Sequence, residues 1–467
     1  MKRFAALFEC CIILIVTALS GCSTIHDTPA SSDITQTQSI QASSETVSDI
    51  SDKVINVYGA TDEAPRLVTR YRELHPDFPY KIKEFLFATV DGDYHYALDT
   101  MLATGGESIP DIYCVEGNFV PKYSKGDYAE YATPYKELGI DVDTLLKEAD
   151  IAQYVVDMGT NPAGEIVALT YHGTGAAFIY RRSIAKDVWG TDNPEIIKDK
   201  IGPGWDRFFG AAEELKAKGY GIVSGSSDIW RMVENSAEMP WVVDGKLYID
   251  PKREEYLDLA KRLWDEGYTN NTIYWQDGWY DDMKGTGEKE ILGYFGPSWF
   301  VNYVLRYSCG GDKVGEGTYG DWAVCEPPLG FFWSGYWLFV NKNSKHKEVI
   351  ADIIEWITLD SSETGLQYLW AKGAVEEKET FPLPAASGTV MKKVSATLDI
   401  IGYQDMYPVF DKAARLASGK NKTHLDENIG SFWCEQVQEY AQGSKSREQA
   451  IADFKMTIQE KLHIESD

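Results

Sequence analysis

From Val54 onward, short apolar runs alternate with segments whose apolar residues recur every three or four positions. That alternation restricts the fold more than any other feature of the chain. Val54 to Tyr58 reads as a strand, and Ala64, Leu67, Val68, Tyr71 and Leu74 follow at helical spacing after the loop Thr61-Asp62-Glu63. A helix ending at Leu98 to Ala103 is closed by Gly105 and Pro110, and Asp111 to Val115 is the next strand. Further strands are expected at Gly221 to Val223, at Val324 and at Tyr336 to Val340, while Val167 to Tyr180 contains apolar runs interrupted by Gly173 and Gly175. Asp250-Pro251 opens a helix that buries Tyr256, Leu257, Ala260, Leu263 and Trp264 and stops at Gly267; Val349 to Ile357 is another. Strands alternating with helices argue for parallel α/β sheets. The part beyond residue 52 of this 467-residue chain is too long for one simple core. With no internal repeat and no long linker, it is expected to form two lobes that share the chain by crossing back and forth.

The N-terminus gives an address. Lys2 and Arg3 precede a short apolar run, Leu7 to Leu19, and then Leu19-Ser20-Gly21-Cys22. This is the pattern of a secretory signal, too short for a stable span. Its ending resembles the bacterial lipobox, which makes residues 1–21 a lipoprotein signal peptide and Cys22 the lipidated residue. Residues 23 to 52 are rich in Ser, Thr, Gln and Asp, with almost no large apolar side chains. Such a segment buries too little surface to offset its ordering entropy, so residues 22–52 are expected to be a lipidated Cys and a disordered tether. The expected location is the extracellular face of the cell membrane.

A formal net charge of −27 disfavours nucleic acid and anionic lipid as partners. Beyond the tether, Cys114, Cys309, Cys325 and Cys434 are too sparse for a disulfide framework, although Cys309 and Cys325 bracket a Gly-rich stretch and a bridge between them stays open. The seven His are scattered, with no His-Glu-x-x-His or Cys-x-x-Cys, and Asp91-Gly-Asp93 lacks the closing pattern of a calcium loop. No phosphate loop and no Gly-x-Ser-x-Gly elbow occurs. The reading therefore assigns no metal, no cofactor and no catalytic residue.

Taken in order, several passages resemble the extracellular sugar-binding proteins of ABC importers, the group that includes the maltose-binding proteins. They are Val54-Ile-Asn-Val-Tyr58 with Asp62-Glu63, Ala103-Thr-Gly-Gly-Glu-Ser-Ile-Pro-Asp111, Phe178-Ile-Tyr180, and Gly204-Trp-Asp-Arg-Phe208. Ile291-Leu-Gly-Tyr-Phe-Gly-Pro-Ser-Trp299 and Pro327-Pro-Leu-Gly330 with Ser334-Gly335 and Val340-Asn-Lys342 complete the series. Two departures stand out: Arg181-Arg182, where the family has Asn-Lys, and Ser334, where Gly is common. The resemblance implies an α/β, two-lobed periplasmic-binding-protein-like fold of type II: two parallel or mixed sheets flanked by helices, with a hinge and a central ligand cleft. It assigns 53–171 plus 331–383 to lobe 1 and 172–330 plus 384–467 to lobe 2. It also implies a monomer that binds a carbohydrate by closing on it and delivers it to ABC permease subunits.

A sugar offers apolar C–H faces and a fringe of hydroxyls, so its site needs flat rings and a few fixed polar groups. The chain has 14 Trp and 28 Tyr. Trp299 follows Gly296-Pro297-Ser298 at a strand end, where α/β proteins bind ligands, and the resemblance implies a stacking role for it. Trp230, after the polar run Ser224 to Asp228, and Trp433, in Ser431-Phe432-Trp433, match aromatic contacts of the family. Trp333 lies beside the return crossing and suits either hinge packing or the cleft. Trp241, Trp275 and Trp279 suit either core or cleft, and of these Trp279 joins the candidate set. Trp205, Trp264 and Trp356 read as packing residues on helices. For the fringe the candidates are Asp62, which otherwise caps a helix; Glu116 and Asn118, which otherwise form a turn; and His172, otherwise a hinge histidine. The alternatives to a sugar-binding protein are a surface-anchored glycoside hydrolase or lyase, and the same fold carrying a peptide or polyamine.

Overall fold

The computed structural model describes residues 53–87, 93–106, 108–376 and 381–466. The signal segment, Cys22, the tether and Asp91 lie outside the described residues.

The strands are β1 (Val54–Gly59), β2 (Lys81–Leu86), β3 (Ile112–Glu116), β4 (Ala168–Thr170), β5 (Ala177–Arg181), β6 (Val242–Val243), β7 (Lys246–Leu247), β8 (Gly293–Gly296), β9 (Trp322–Cys325), β10 (Tyr336–Val340) and β11 (Glu465–Ser466). The first sheet has the order β2-β1-β3-β10-β4. β1 pairs parallel with β2 and β3, while β10 runs antiparallel to β3 and β4. The helix Glu63–Leu74 returns the chain from β1 to β2 and buries Ala64, Leu67, Val68 and Tyr71, one stripe at helical spacing. The second sheet, β8-β5-β9, is antiparallel throughout. The first sheet is thus mixed, because β10 joins it antiparallel from far along the chain, and the second is antiparallel, where the alternation of strands and helices implies parallel sheets. Gly221 to Val223 does not form the strand expected of it: Gly221 makes a single parallel bridge to Ile291.

The core divides accordingly. One cluster gathers β1, β3, β4 and β10 with Trp337, Phe339, Ile353 and Trp356. In the other half, alternate residues of β5 serve two clusters. Phe178 and Tyr180 face Phe208, Phe295 and Trp433, while Ala177 and Ile179 face Trp279, Tyr294 and Trp322. That division is the two-residue period of a strand covered on both faces.

The segments 171–176, 331–337 and 384–386 touch one another. Gly175 bridges Phe332 and His172 bridges Ala385. A Cβ on Gly175 would lie 2.3 Å from the Ala414 Cα, so the close approach requires glycine there. Ser334 has a φ of 59°, the left-handed region that usually takes glycine. Local bonds hold it there: Thr174 Oγ1 donates to its carbonyl at 3.0 Å and its own Oγ donates to Glu116 at 3.0 Å. The second departure, Arg181-Arg182, is structural. Arg181 Nε donates to Asp321 at 2.6 Å and Arg182 to Asp192 at 3.0 Å. The described cysteines are all free thiols, so Cys309 and Cys325 are not bridged.

Candidate functional site

A cleft opens where the loop after β3, the segment before β10 and two helices of the other half converge. It is lined by Gly117 and Asn118, by Phe332 to Ser334, by Arg231 and Glu234, and by Lys422, Thr423, Asp426 and Glu427.

Trp333, which lines it, joins the cleft to an aromatic cluster. Trp333 stands edge-on to Trp299 at 5.1 Å, to Trp275 at 6.0 Å and to Tyr274 at 6.5 Å. Trp299 Nε1 donates to the Trp333 carbonyl at 3.1 Å, and the Arg231 guanidinium lies 5.5 Å over the Trp333 ring. The four rings are half-buried, which leaves faces available to an amphipathic guest.

Its floor is charged. Arg231 pairs with Glu234 at 3.2 Å and Glu427 at 3.4 Å, and Lys422 pairs with Glu234 at 2.9 Å. Burial pushes the Glu234 carboxyl up, but Lys422 and Arg231 together hold it below its usual range. Burial raises Asp426 as well, and there Lys422 and Thr423 do not reverse it. Glu116, from the opposite half, is raised by burial against its bond from Ser334; Glu427 raises it further, and Arg231 opposes. Acidic groups from both halves thus meet across the cleft.

A second polar group flanks the segment 171–176. Glu63 accepts from Tyr171 Oη at 2.6 Å and lies 2.8 Å from His172 Nε2. Burial raises its carboxyl, but His172, with Tyr171 and Arg66, more than compensates, so Glu63 stays below its usual range. The His172 ring stacks on Trp370 at 5.0 Å. Tyr303 faces Glu63 and Arg66 from the other half, its hydroxyl pushed up to about 12, by burial first and then by Glu63.

The candidate residues divide. Asn118 and Trp333 line the cleft, Glu116 accepts from Ser334 of its lining, Trp299 packs against Trp333, and His172 sits beside Glu63. Asp62 is exposed, makes no cap bond and pairs with Arg66 at 3.4 Å. Trp230, Trp279 and Trp433 are corrected to core positions, with 3, 1 and 0 % of their surface exposed. Trp230 packs on Tyr256 at 5.1 Å, Trp279 donates to Asp228 at 2.9 Å, and Trp433 donates to the Arg253 carbonyl at 3.1 Å. The reason is helical phase. Trp230 and Val233 share the inward stripe of their helix, and so do Ile429, Trp433 and Val437 of theirs. Arg231 and Glu427, on neighbouring stripes, reach the cleft instead. Sequence reading missed Arg231, Glu234, Tyr274, Lys422, Asp426 and Glu427, named Glu63 only with Asp62 in the resembling loop, and left Trp275 undecided. Charged residues beside an inward Trp were the only available signal.

A model of the bacterial extracellular solute-binding protein family matches residues 60–363. No curated protein sequence matches the chain. Among solved structures, an extracellular solute-binding protein of family 1 superposes with a TM-score of 0.70 at 19% identity, covering 86% of this chain and 97% of that one. The galacto-N-biose-/lacto-N-biose I-binding protein of an ABC transporter from Bifidobacterium longum, in complex with lacto-N-biose, gives 0.62 at 16% identity, over 89% and 98%. The sugar-binding protein MalE from Xanthomonas citri gives 0.62 at 14%, over 87% and 96%. These likenesses share the two-lobed fold with the chain. With the family model spanning most of the chain, the protein belongs to the bacterial extracellular solute-binding proteins.

Proposed function

We propose that this protein captures a sugar, an oligosaccharide rather than a single ring, outside the cell and delivers it unchanged to the permease of an ABC importer. The observation that carries the reading is the half-buried cluster of Trp275, Trp299, Trp333 and Tyr274 at the edge of a cleft with charged and amide groups on its floor. Flat rings suit sugar faces, and Asn118, Glu116 and Arg231 suit hydroxyls. Residues 53–171 plus 331–383 form one lobe and 172–330 plus 384–467 the other. Both close on the guest about the segments 171–176, 331–337 and 384–386, and the permease reads the closed form. The protein acts as a monomer tethered through lipid on Cys22. It is a binding protein without turnover.

Calorimetry and thermal shift against neutral mono- and oligosaccharides test the proposal, because a ligand of the native state raises the melting temperature by mass action. The expected result is saturable binding that Trp299→Ala and Trp333→Ala each weaken at least tenfold, with the sugar recovered intact by chromatography. Released products would establish a hydrolase or lyase instead. Binding of a peptide or polyamine but no sugar would replace the cargo. For the anchor, Cys22→Ala is expected to release the protein from membranes into the medium.

A further inference from the structure

Behind the aromatic cluster lies a buried polar knot that ring stacking does not use. Asp282, 1 % exposed, accepts hydrogen bonds from Ser224 Oγ and, at 2.5 Å, from Asn270 Nδ2. Thr272 Oγ1 donates to Ser224 Oγ at 2.8 Å, and Tyr274 N–H donates to Ser227 Oγ at 3.2 Å. The loops 224–229 and 269–276 are therefore braced together, so tightly that a Cβ on Gly225 would lie 1.9 Å from the Thr272 carbonyl oxygen. One side chain joins this brace to the rings. Asp228 Oδ2 accepts from the Gly225 N–H at 2.9 Å, and its Oδ1 accepts from Trp279 Nε1 at 2.9 Å. Trp279 contacts Trp275 at 5.2 Å, and Trp275 contacts Trp333. Three residues beyond Asp228, Arg231 reaches over the same Trp333 ring.

We propose that Asp228 is a positioning residue for the solute cleft: its carboxylate, clamped between Trp279 and Gly225, fixes the Trp279–Trp275–Trp333 column against the helix that carries Arg231, and protonating it slackens that column. The inference rests on the reading of the cleft as the solute site. Each carboxylate oxygen receives one N–H. A neutral acid carries O–H on one of them, and that oxygen no longer receives its donor equally well, so one arm of the clamp weakens. Burial pushes Asp228 up to about 7, with the bonds from Trp279 and Gly225 opposing and Asp282 adding to the rise. The other titratable groups facing it are Tyr256 and Tyr294, both raised by burial and neutral in this range, and Asp282, also raised by burial. The clamp is therefore made and broken around neutral pH. Binding favours the deprotonated form, so affinity rises with pH through the midpoint and binding releases a proton. One site limits the change to tenfold per pH unit.

The test uses the full-length protein labelled with 15N at the indoles, whose 14 Trp give separate Nε1–H signals. The Trp279 signal, identified by its loss in Trp279→Phe, is expected to shift with a midpoint near pH 7, and those of Trp275 and Trp333 to follow it. In Asp228→Asn the step disappears from all three, while Asp282→Asn, which leaves the Trp279 bond in place, keeps a step. A Trp279 signal that is flat with pH, or one that shifts while Trp275 and Trp333 stay still, overturns the proposal. This arm needs no solute. Calorimetry with a panel of neutral di- and trisaccharides including lacto-N-biose is the separate arm, with proton release expected in the wild type and absent in Asp228→Asn. Failure of the whole panel to bind counts against the sugar reading, and the indole signals still decide the clamp.

Discussion

Trp433 and Trp299 look alike in the sequence and should behave in opposite ways when truncated. Trp433 has none of its surface exposed, contacts Phe454 at 4.8 Å and Trp241 at 6.2 Å, and donates to the Arg253 carbonyl at 3.1 Å. Replacing a buried Trp by Ala removes its transfer free energy and leaves a cavity, at a cost of about 3–5 kcal/mol. The abandoned carbonyl adds about 1 kcal/mol. At about 2–4 °C per kcal/mol for a unit of this size, the melting temperature should drop by roughly 10 °C or more. Trp299 is half-buried at the cleft edge, with its N–H on the Trp333 carbonyl. Its truncation should lower the melting temperature by a few degrees at most and abolish most of the solute affinity. Differential scanning calorimetry gives the first quantity. Isothermal titration, run well below the lower melting point, gives the second. Trp433→Ala should then bind within about threefold of wild type, which is below 1 kcal/mol. Loss of binding in Trp433→Ala with an unchanged melting point would refute the core assignment and return that ring to the cleft.

Removing the His172 imidazole leaves Glu63 buried beside Tyr171 without its principal counter-group. Because Glu63 is held below its usual range, its contribution is present above about pH 4.5 and fades as the pH falls through the lowered value. His172→Leu should therefore cost about 1–3 kcal/mol in urea unfolding at pH 8 and clearly less at pH 4; an equal cost at both would contradict the pairing. At Ser334, with φ of 59°, a β-branched residue is strained and the bond to Glu116 is lost, so Ser334→Val should destabilise by about 2 kcal/mol or more. Ser334→Gly exchanges the lost bond for relief of strain and should stay within about 1 kcal/mol of wild type. Burial raises the thiols of Cys114, Cys309, Cys325 and Cys434; the first three are buried, so a thiol reagent should label them only on unfolding, and reduction should not change mobility on a non-reducing gel.

Periodicity made the architecture readable. Val54 to Tyr58, Asp111 to Val115 and Tyr336 to Val340 became β1, β3 and β10 because runs of buried apolar residues can satisfy their backbone only in a sheet. Asp250 caps the helix Pro251–Asp265 by accepting from the Lys252 N–H at 2.8 Å, as its place before a proline implies. The site was only half readable. Glu116 closes β3 and Asn118 and Trp299 follow strand ends, and chain direction brings such positions to the cleft or to the residues that line it. Trp230, Trp279 and Trp433 failed because composition does not fix phase: one step along a helix turns a side chain by about 100°. That step separates Trp230 in the core from Arg231 at the cleft. The ion pairs Lys422–Glu234 and Arg231–Glu427 join residues close to 190 positions apart in the chain, and no local pattern announces them.

Those pairs also bear on which guest the cleft accepts. A charge taken out of water is tolerated only when a partner stays close, and on this floor Arg231 and Lys422 are already matched by Glu234, Glu427 and Asp426. A charged solute entering here must separate an existing pair before it forms its own, and it leaves the displaced partner buried. A neutral polyhydroxylated solute imposes no such separation, since its hydroxyls both donate and accept and can add to the spare lone pairs of a carboxylate or the spare N–H groups of a guanidinium. The same floor, without the rings above it, would hold such a solute weakly, because hydroxyls gain little by exchanging water for protein. The apolar faces of the guest against Trp299 and Trp333 supply the larger gain. In the proposed assignment the ion pairs therefore select and the rings hold. The two functions meet at Arg231, which belongs to the charged floor through Glu234 and Glu427 and to the aromatic cluster through Trp333.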